Sequence, residues 1–215
     1  MYVPHFNALE DADAVRALVA ATGSAELVTV GADGYPLVTL LPVVWEPEDD
    51  GPGRLLMHAA RANPHWRSIP DDPAGTPALA VVTGPQAYVS PAWYATKQEN
   101  PRVVPTWNYS AVHFTGRARR HEGPAWLLDM VTRLTEQHES GRPVPWSVDD
   151  APATYVEKQL RAIVGIELTL ERVEAKAKLS QNKGRADIDG VVAGLRAEGG
   201  SREREVADQM DALER

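Results

Sequence analysis

GPQAYVSPAWYATKQENPRVVPTWNYSAVHFTG, residues Gly84 to Gly116, sets two short β-type runs on either side of a loop. The runs are Gln86 to Val89 and Val103 to Phe114, and the loop opens with Ser90-Pro91 and carries Trp93, Tyr94 and Lys97. Alternation along the second run puts Trp107, Tyr109, Ala111 and His113 on one face and Asn108, Ser110, Val112 and Phe114 on the other. Neither face is purely apolar. Trp, Tyr and His bury well only when their N–H or O–H groups find partners. The first face therefore reads either as the wall of a pocket for a flat, polar-edged ligand or as an aromatic core cluster with satisfied tips.

Working outward, the chain keeps supplying β-type runs. Glu26 to Gly31 and Tyr35 to Trp45 flank Ala32-Asp33-Gly34, whose residues tolerate the left-handed backbone of a tight hairpin. The second of these is apolar on both faces, so it is expected to be covered twice, with Pro42 marking a bulge or an unpaired segment. A polar turn, Glu46 to Gly53, leads to a strand at Arg54 to Ala60. Pro64 then suits the first turn of a short helix with Asn63 as its N-cap, which aims free N–H groups, Arg61 and His65 at a point able to hold an anion. The alternative is a capped turn with one surface arginine.

Further strands are expected at Ala78 to Thr83 and Ala162 to Val173, and helices at Asp11 to Ala21, Pro124 to His138, about Asp149 to Leu160, Asp187 to Ala197 and Arg202 to Leu213. The final helix is charge-dense and expected to fray. Lys176 to Lys183 is polar and uncommitted. About seven strands in hairpin-like order, with helices at the margins, indicate an antiparallel β-barrel with α additions.

Composition narrows the chemistry. There is no cysteine, which excludes disulfides, thiolate nucleophiles and Cys-bound metals and fits a reducing compartment. No run approaches the roughly 20 apolar residues of a membrane helix, and the start has no signal-peptide pattern, so a soluble cytoplasmic protein is expected. The net charge of −8 works against attraction to nucleic acid, and no basic recognition helix is visible. The phosphate-loop, dinucleotide and nucleophile-elbow signatures are absent, the histidines lack metal-ligand spacing, and no general base is evident.

MYVPHF at the start, RANPHW from Arg61, GPQAYVSPAWY from Gly84, VVPTWNYSAVHFTG from Val103, PWSVDDAPATYV from Pro145 and KLSQNK from Lys178 together resemble the PaiB-type proteins, known as FMN-binding negative transcriptional regulators. The resemblance implies one FMN-binding split-barrel domain over residues 1–195, with a helical tail over 196–215 outside it. It further implies a homodimer with the flavin in a groove between subunits. Arg61 and Asn63 match the place where such barrels hold the FMN phosphate, with His65 beside them. Val38 and Thr39 would offer backbone groups to the isoalloxazine. Trp107, Asn108, Tyr109 and His113 match the signature strand, and Lys97, Lys178 and Gln181 match other polar positions. Two departures stand out. Leu40 replaces a common His near the flavin, and Ala177 replaces a Trp that would cover a ligand.

Three functions compete at this level: an FMN-dependent oxidoreductase or flavin sensor, a negative transcriptional regulator acting on DNA directly or through a partner, and a barrel of the same kind holding haem through His58, His65 or His113.

Overall fold

The computed structural model describes residues 1–48 and 51–213. Asp49 and Asp50 of the expected polar turn, and Glu214 and Arg215 of the expected tail, lie outside the described residues. In chain order the elements are α1 (Ala12–Thr22), β1 (Ser24–Val30), β2 (Pro36–Glu48), β3 (Gly51–Ala60), β4 (Thr76–Val89), β5 (Thr106–His121), α2 (Pro124–Glu139), α3 (Ala153–Leu160), β6 (Ile163–Lys178), α4 (Arg185–Glu198) and α5 (Ser201–Ala212). The strands close into the expected antiparallel barrel, in the order β1-β2-β3-β6-β5-β4, so β5 lies between β4 and β6. Among the described residues there are six strands and not about seven. Ala78–Thr83 and Gln86–Val89 are halves of β4, which runs straight through Gly84-Pro85.

Two compact units divide the chain. The first comprises Arg16–Val82 and His113–Val173 and holds β1, β2, β3 and the adjoining lengths of β4, β5 and β6. Leu27, Leu55, Met57, Phe114, Ile166 and Leu168 are each less than 2% exposed and form its interior. Trp45 meets the ring of Phe114 edge-on at 5.0 Å. The opposite face of β3 is roofed by two helices, Leu56 packing with Leu127 and Met130 of α2 and Leu160 of α3. Helical spacing of the apolar residues in Pro124–Glu139 is what gives α2 that one sticky stripe.

Strand β2 departs from the expectation of double cover. Its inward residues Leu41 and Val43 are buried, but Val38 is 59% and Leu40 is 63% exposed. The outward face is covered at Val44, which packs with the cluster of Leu127, Met130 and Leu160, and not at Val38 and Leu40. From Pro36 to Pro42 β2 ladders with β1, and from Val43 onward it ladders with β3. Pro42, which has no N–H, stands at the change of partner, so the expected interruption is a hand-over between neighbours with no bulge at that residue.

The second unit comprises Met1–Val15, Thr83–Val112 and Glu174–Arg215. Its core gathers Val89, Tyr94, Leu179, Val191, Leu195, Val206 and Met210. The last helix is not frayed here, because Val206, Ala207 and Met210 of α5 are buried in that core. Lys176 to Lys178, uncommitted in the sequence reading, complete β6. At Gly190 and Gly194 of α4 an added Cβ would collide with the Trp93 carbonyl and indole, so the two glycines let the Ser90–Pro91 loop seat directly on the helix. Asp187, in the first turn of α4, accepts from both the backbone N–H (2.9 Å) and the hydroxyl of Thr96. These bonds, the backbone one first, hold its carboxyl below the usual carboxylate range.

Phe114→Ala is expected to cost about 3–5 kcal/mol in urea unfolding, whereas Leu128→Ala, on the exposed side of α2, should stay within about 0.5 kcal/mol. Equal losses would mean that the barrel interior is not the dominant core.

Candidate functional site

In the first unit, Thr39, Asn63 and His65 converge. β3 ends at Ala60, and Asn63 caps the 3-10 turn Pro64–Ser68 by accepting the His65 backbone N–H at 3.0 Å. The cap thus has the form expected from Asn63-Pro64. The His65 side chain is buried, with Nδ1 2.7 Å from the Thr39 hydroxyl and Nε2 2.8 Å from the Thr29 hydroxyl. Asn63 Nδ2 donates to Thr39 Oγ1 at 3.3 Å, and Ser68 Oγ lies 2.6 Å from Thr29 Oγ1 while donating to the His65 carbonyl. This lock fastens the turn to the middle of the β1–β2 hairpin. Both imidazole nitrogens are spent on it, so His65 is not placed to ligate a haem iron.

Arg61 sits beside this lock with its donors already committed. Its Nε donates to the Arg161 carbonyl (3.0 Å), Nη2 to the Ile163 carbonyl (3.2 Å) and Nη1 to Glu122 (2.7 Å). Three guanidinium groups, those of Arg61, Arg67 and Arg120, lie 5.9, 5.3 and 5.5 Å from the Trp66 ring. Glu122 serves two of them, reaching Arg120 at 3.6 Å. Arg67 is exposed and has no carboxylate within ion-pair distance among the described residues. It was not singled out from sequence, although its position directly after RANPHW was a usable signal.

The open edge of β2 adjoins Thr39. Gly31 N–H donates to the Tyr35 carbonyl and Val43 N–H to the Gly23 carbonyl. With the unbroken register between them, the odd-numbered residues of β2 turn their backbone groups toward β1. Val38 and Leu40 therefore direct theirs to the side that has no strand neighbour before Val43 among the described residues. Thr39 contributes its hydroxyl, and Val38 and Leu40 contribute the edge.

The other sequence candidates fall into the second unit, apart from His113, which is half-buried on β5 in the first. Alternation along β5 is as expected: Asn108, Ser110, Val112 and Phe114 are buried, while Trp107 is 47% exposed and Tyr109 is half-buried. Asn108 accepts from Ser180 Oγ (3.2 Å) and donates to Met210 Sδ, and Ser110 donates to Gln209 of α5 (2.7 Å). Gln181 closes the turn out of β6, accepting the Leu179 N–H and donating to the Ala177 carbonyl, with Ser180 at φ 67°. The polar groups of Asn108 and Gln181 are thus consumed in holding the turn. Trp107 Nε1 donates to Gln86 (3.0 Å), and Lys178 Nζ donates to the Thr106 hydroxyl and the Trp107 carbonyl. Lys97 is exposed on the 3-10 turn Ala95–Gln98. Two polar residues of this unit were missed in the sequence: Lys176, hidden because β6 was ended too early, and Asp187.

The model of the family described as "Putative FMN-binding domain" matches residues 1–172. The chain belongs to this family. Its PaiB character is equally plain: it is 32% identical over 211 residues to Protease synthase and sporulation protein PAI 2 of Bacillus subtilis (strain 168), covering 98% of this chain and 97% of that protein. An uncharacterised protein of Aspergillus fumigatus is 34% identical over 173 residues, covering 67% of this chain and 66% of its own. Among solved structures, the FAD and haem binding protein from Mycobacterium smegmatis superposes with a TM-score of 0.58 at 16% identity, covering 83% of this chain and 77% of that one. The flavocytochrome Anf3 from Azotobacter vinelandii gives 0.56 at 20% identity, with 80% and 70% covered. At such identities these two structures show the shared split-barrel fold.

Burial lowers the pKa of His65, and of His58 and His121 likewise, below the ordinary imidazole value. Between that ordinary value, about 6.5, and the lower folded values, the unfolded chain binds protons that the native chain does not. Stability is therefore expected to fall as pH drops below about 6.5. The melting temperature at pH 5.5 should lie below that at pH 7.5, and His65→Gln should reduce that difference while lowering both values. An unaltered difference would mean that His65 does not carry the pH response.

Proposed function

We propose that this PaiB-type chain binds FMN against the open edge of β2 and acts as a flavoprotein, either redox-active or sensing the flavin. The observation that carries the reading is the combination on one strand of an unpaired edge at Val38 and Leu40, exposed side chains at the same residues, and a rigid Thr39–His65–Asn63 lock behind them. A flat ring with a polar edge meets both needs, since its donors and acceptors complement the backbone groups and its face covers the apolar side chains. Bound FMN would supply hydride or electron transfer, which no side chain of this unit offers. What the protein contributes is orientation and exclusion of water.

For the FMN phosphate we assign Arg67, with Arg61 as the strut that fixes the turn. A dianion requires a cation not already neutralised, and Arg61 carries Glu122 at 2.7 Å. The outward apolar residues Val30, Val38 and Leu40 suit a second copy of the chain, so the working form is read as a homodimer. The absence of cysteine favours a cytoplasmic setting. No helix among the described residues is long and apolar enough to cross a membrane. The name of the Bacillus relative points to control of protease synthesis and sporulation. In a chain of net charge −8, such control would run through a protein partner and not through direct DNA contact.

Titration with FMN and with riboflavin, which lacks the phosphate, tests the assignment. Arg67→Ala should weaken FMN roughly ten- to a hundredfold, the effect of losing one charge-assisted bond, and leave riboflavin unchanged. Arg61→Ala should lower the melting temperature and weaken both flavins equally. A selective loss of FMN in Arg61→Ala alone would return the phosphate to Arg61, and no binding of either flavin would overturn the proposal.

A further inference from the structure

Lys176 is a buried cation without a counter-ion. It is 6% exposed, and its Nζ has one hydrogen bond, to the Tyr2 carbonyl at 3.2 Å. The Tyr2 and Tyr109 rings stand 5.7 and 5.1 Å from it. Lys178, two residues along β6 and so on the same face, places a second ammonium group nearby, bonded to Thr106 Oγ1 and the Trp107 carbonyl. Among the described residues no carboxylate lies within ion-pair distance of either Nζ. Glu174, on the same face one step earlier, is held by the N-terminal amino group at 2.8 Å. The Tyr109 hydroxyl also has no hydrogen-bond partner among the described residues. Burying charge without a partner is costly, and two like charges side by side cost more. Burial above all lowers the pKa of Lys178; Tyr109 opposes it, and Lys176 adds a smaller lowering.

The aromatic surroundings define what would relieve this arrangement. Trp107 and Tyr109 share the accessible face of β5, and Tyr88 meets Trp107 edge-on at 6.4 Å. Ammonium and hydroxyl donors beside flat rings fit an anion carried on a planar skeleton. We propose that Lys176, Lys178 and Tyr109 form a receptor for the anionic group of a planar organic acid, an aromatic carboxylate being the simplest member of the class. The two lysines supply charge-assisted hydrogen bonds, the tyrosine hydroxyl a third donor, and Trp107 a stacking surface. The proposal uses residues other than those of the FMN reading: each belongs to the second unit, and none is used to hold the flavin at β2.

Calorimetric titration of the full-length protein with benzoate and with its neutral isostere benzamide tests the proposal without involving flavin. Benzoate should bind at least tenfold more tightly than benzamide near pH 7. Its affinity should fall as pH rises into the range where Lys178 deprotonates, earlier than for an ordinary lysine. Lys178→Met and Tyr109→Phe should each weaken benzoate, the former about tenfold or more, and leave benzamide unaffected. Because Lys178→Met also removes two internal bonds, Lys176→Met is the control that retains them; it replaces an unpaired buried cation by an apolar chain and should weaken benzoate without lowering the melting temperature. Equal affinity for the two probes, no heat from benzoate, or undiminished benzoate binding in both lysine variants would overturn the proposal.

Discussion

Each β-strand has two hydrogen-bonding edges, and every backbone group that loses water must find a partner. In the first unit that constraint is met unevenly by β2. It pairs with β1 up to Pro42 and with β3 from Val43, so a barrel closed in strand order still leaves one edge open at Val38 and Leu40 among the described residues. Pro36 and Pro42 bracket this stretch, and neither can donate to an intruding strand. The edge is therefore short, defined and poorly suited to sheet extension. It suits a ligand whose own donors and acceptors have the length of two residues. The Thr29–His65–Thr39 chain ties the hairpin to the turn Pro64–Ser68.

Much of this order was legible in the sequence because it follows from local rules. Ala32-Asp33-Gly34 marks its hairpin through the left-handed residue Gly34, at φ 84°. Asn63-Pro64 marks a capped turn, and alternation along Val103 to Phe114 separates the buried face from the accessible one. The failures have physical causes too. Val38 and Leu40 read as core because an apolar side chain looks the same in sequence whether the same chain covers it or not. Lys176 stayed uncommitted because the rings that surround its ammonium group, Tyr2 and Tyr109, lie far from it in the chain.

The stretches that carry the family resemblance divide by role in their contacts. In KLSQ, Gln181 and Ser180 tie down a turn and reach Asn108 of the signature strand, while the half-buried Lys178 donates to Thr106 and to the Trp107 carbonyl. The resemblance pointed at all of these alike. Contacts also separate Arg61 from Arg67: the Arg61 guanidinium holds a carboxylate and two carbonyls, and exposed Arg67 has no carboxylate within ion-pair distance among the described residues. Even α5, which read as an appendage, supports the signature strand through Gln209 and Met210.

Amide hydrogen exchange over residues 36–42, with and without FMN, is the most direct test of the open edge as the flavin's seat. Pro36 and Pro42 have no amide, Leu37, Thr39 and Leu41 are directed to β1, and Val38 and Leu40 report the open side. The expected result is slow exchange at Thr39 and Leu41 in either state, with protection of Val38 and Leu40 appearing only when FMN is added. If FMN slows exchange elsewhere and leaves Val38 and Leu40 unchanged, the flavin does not lie along β2.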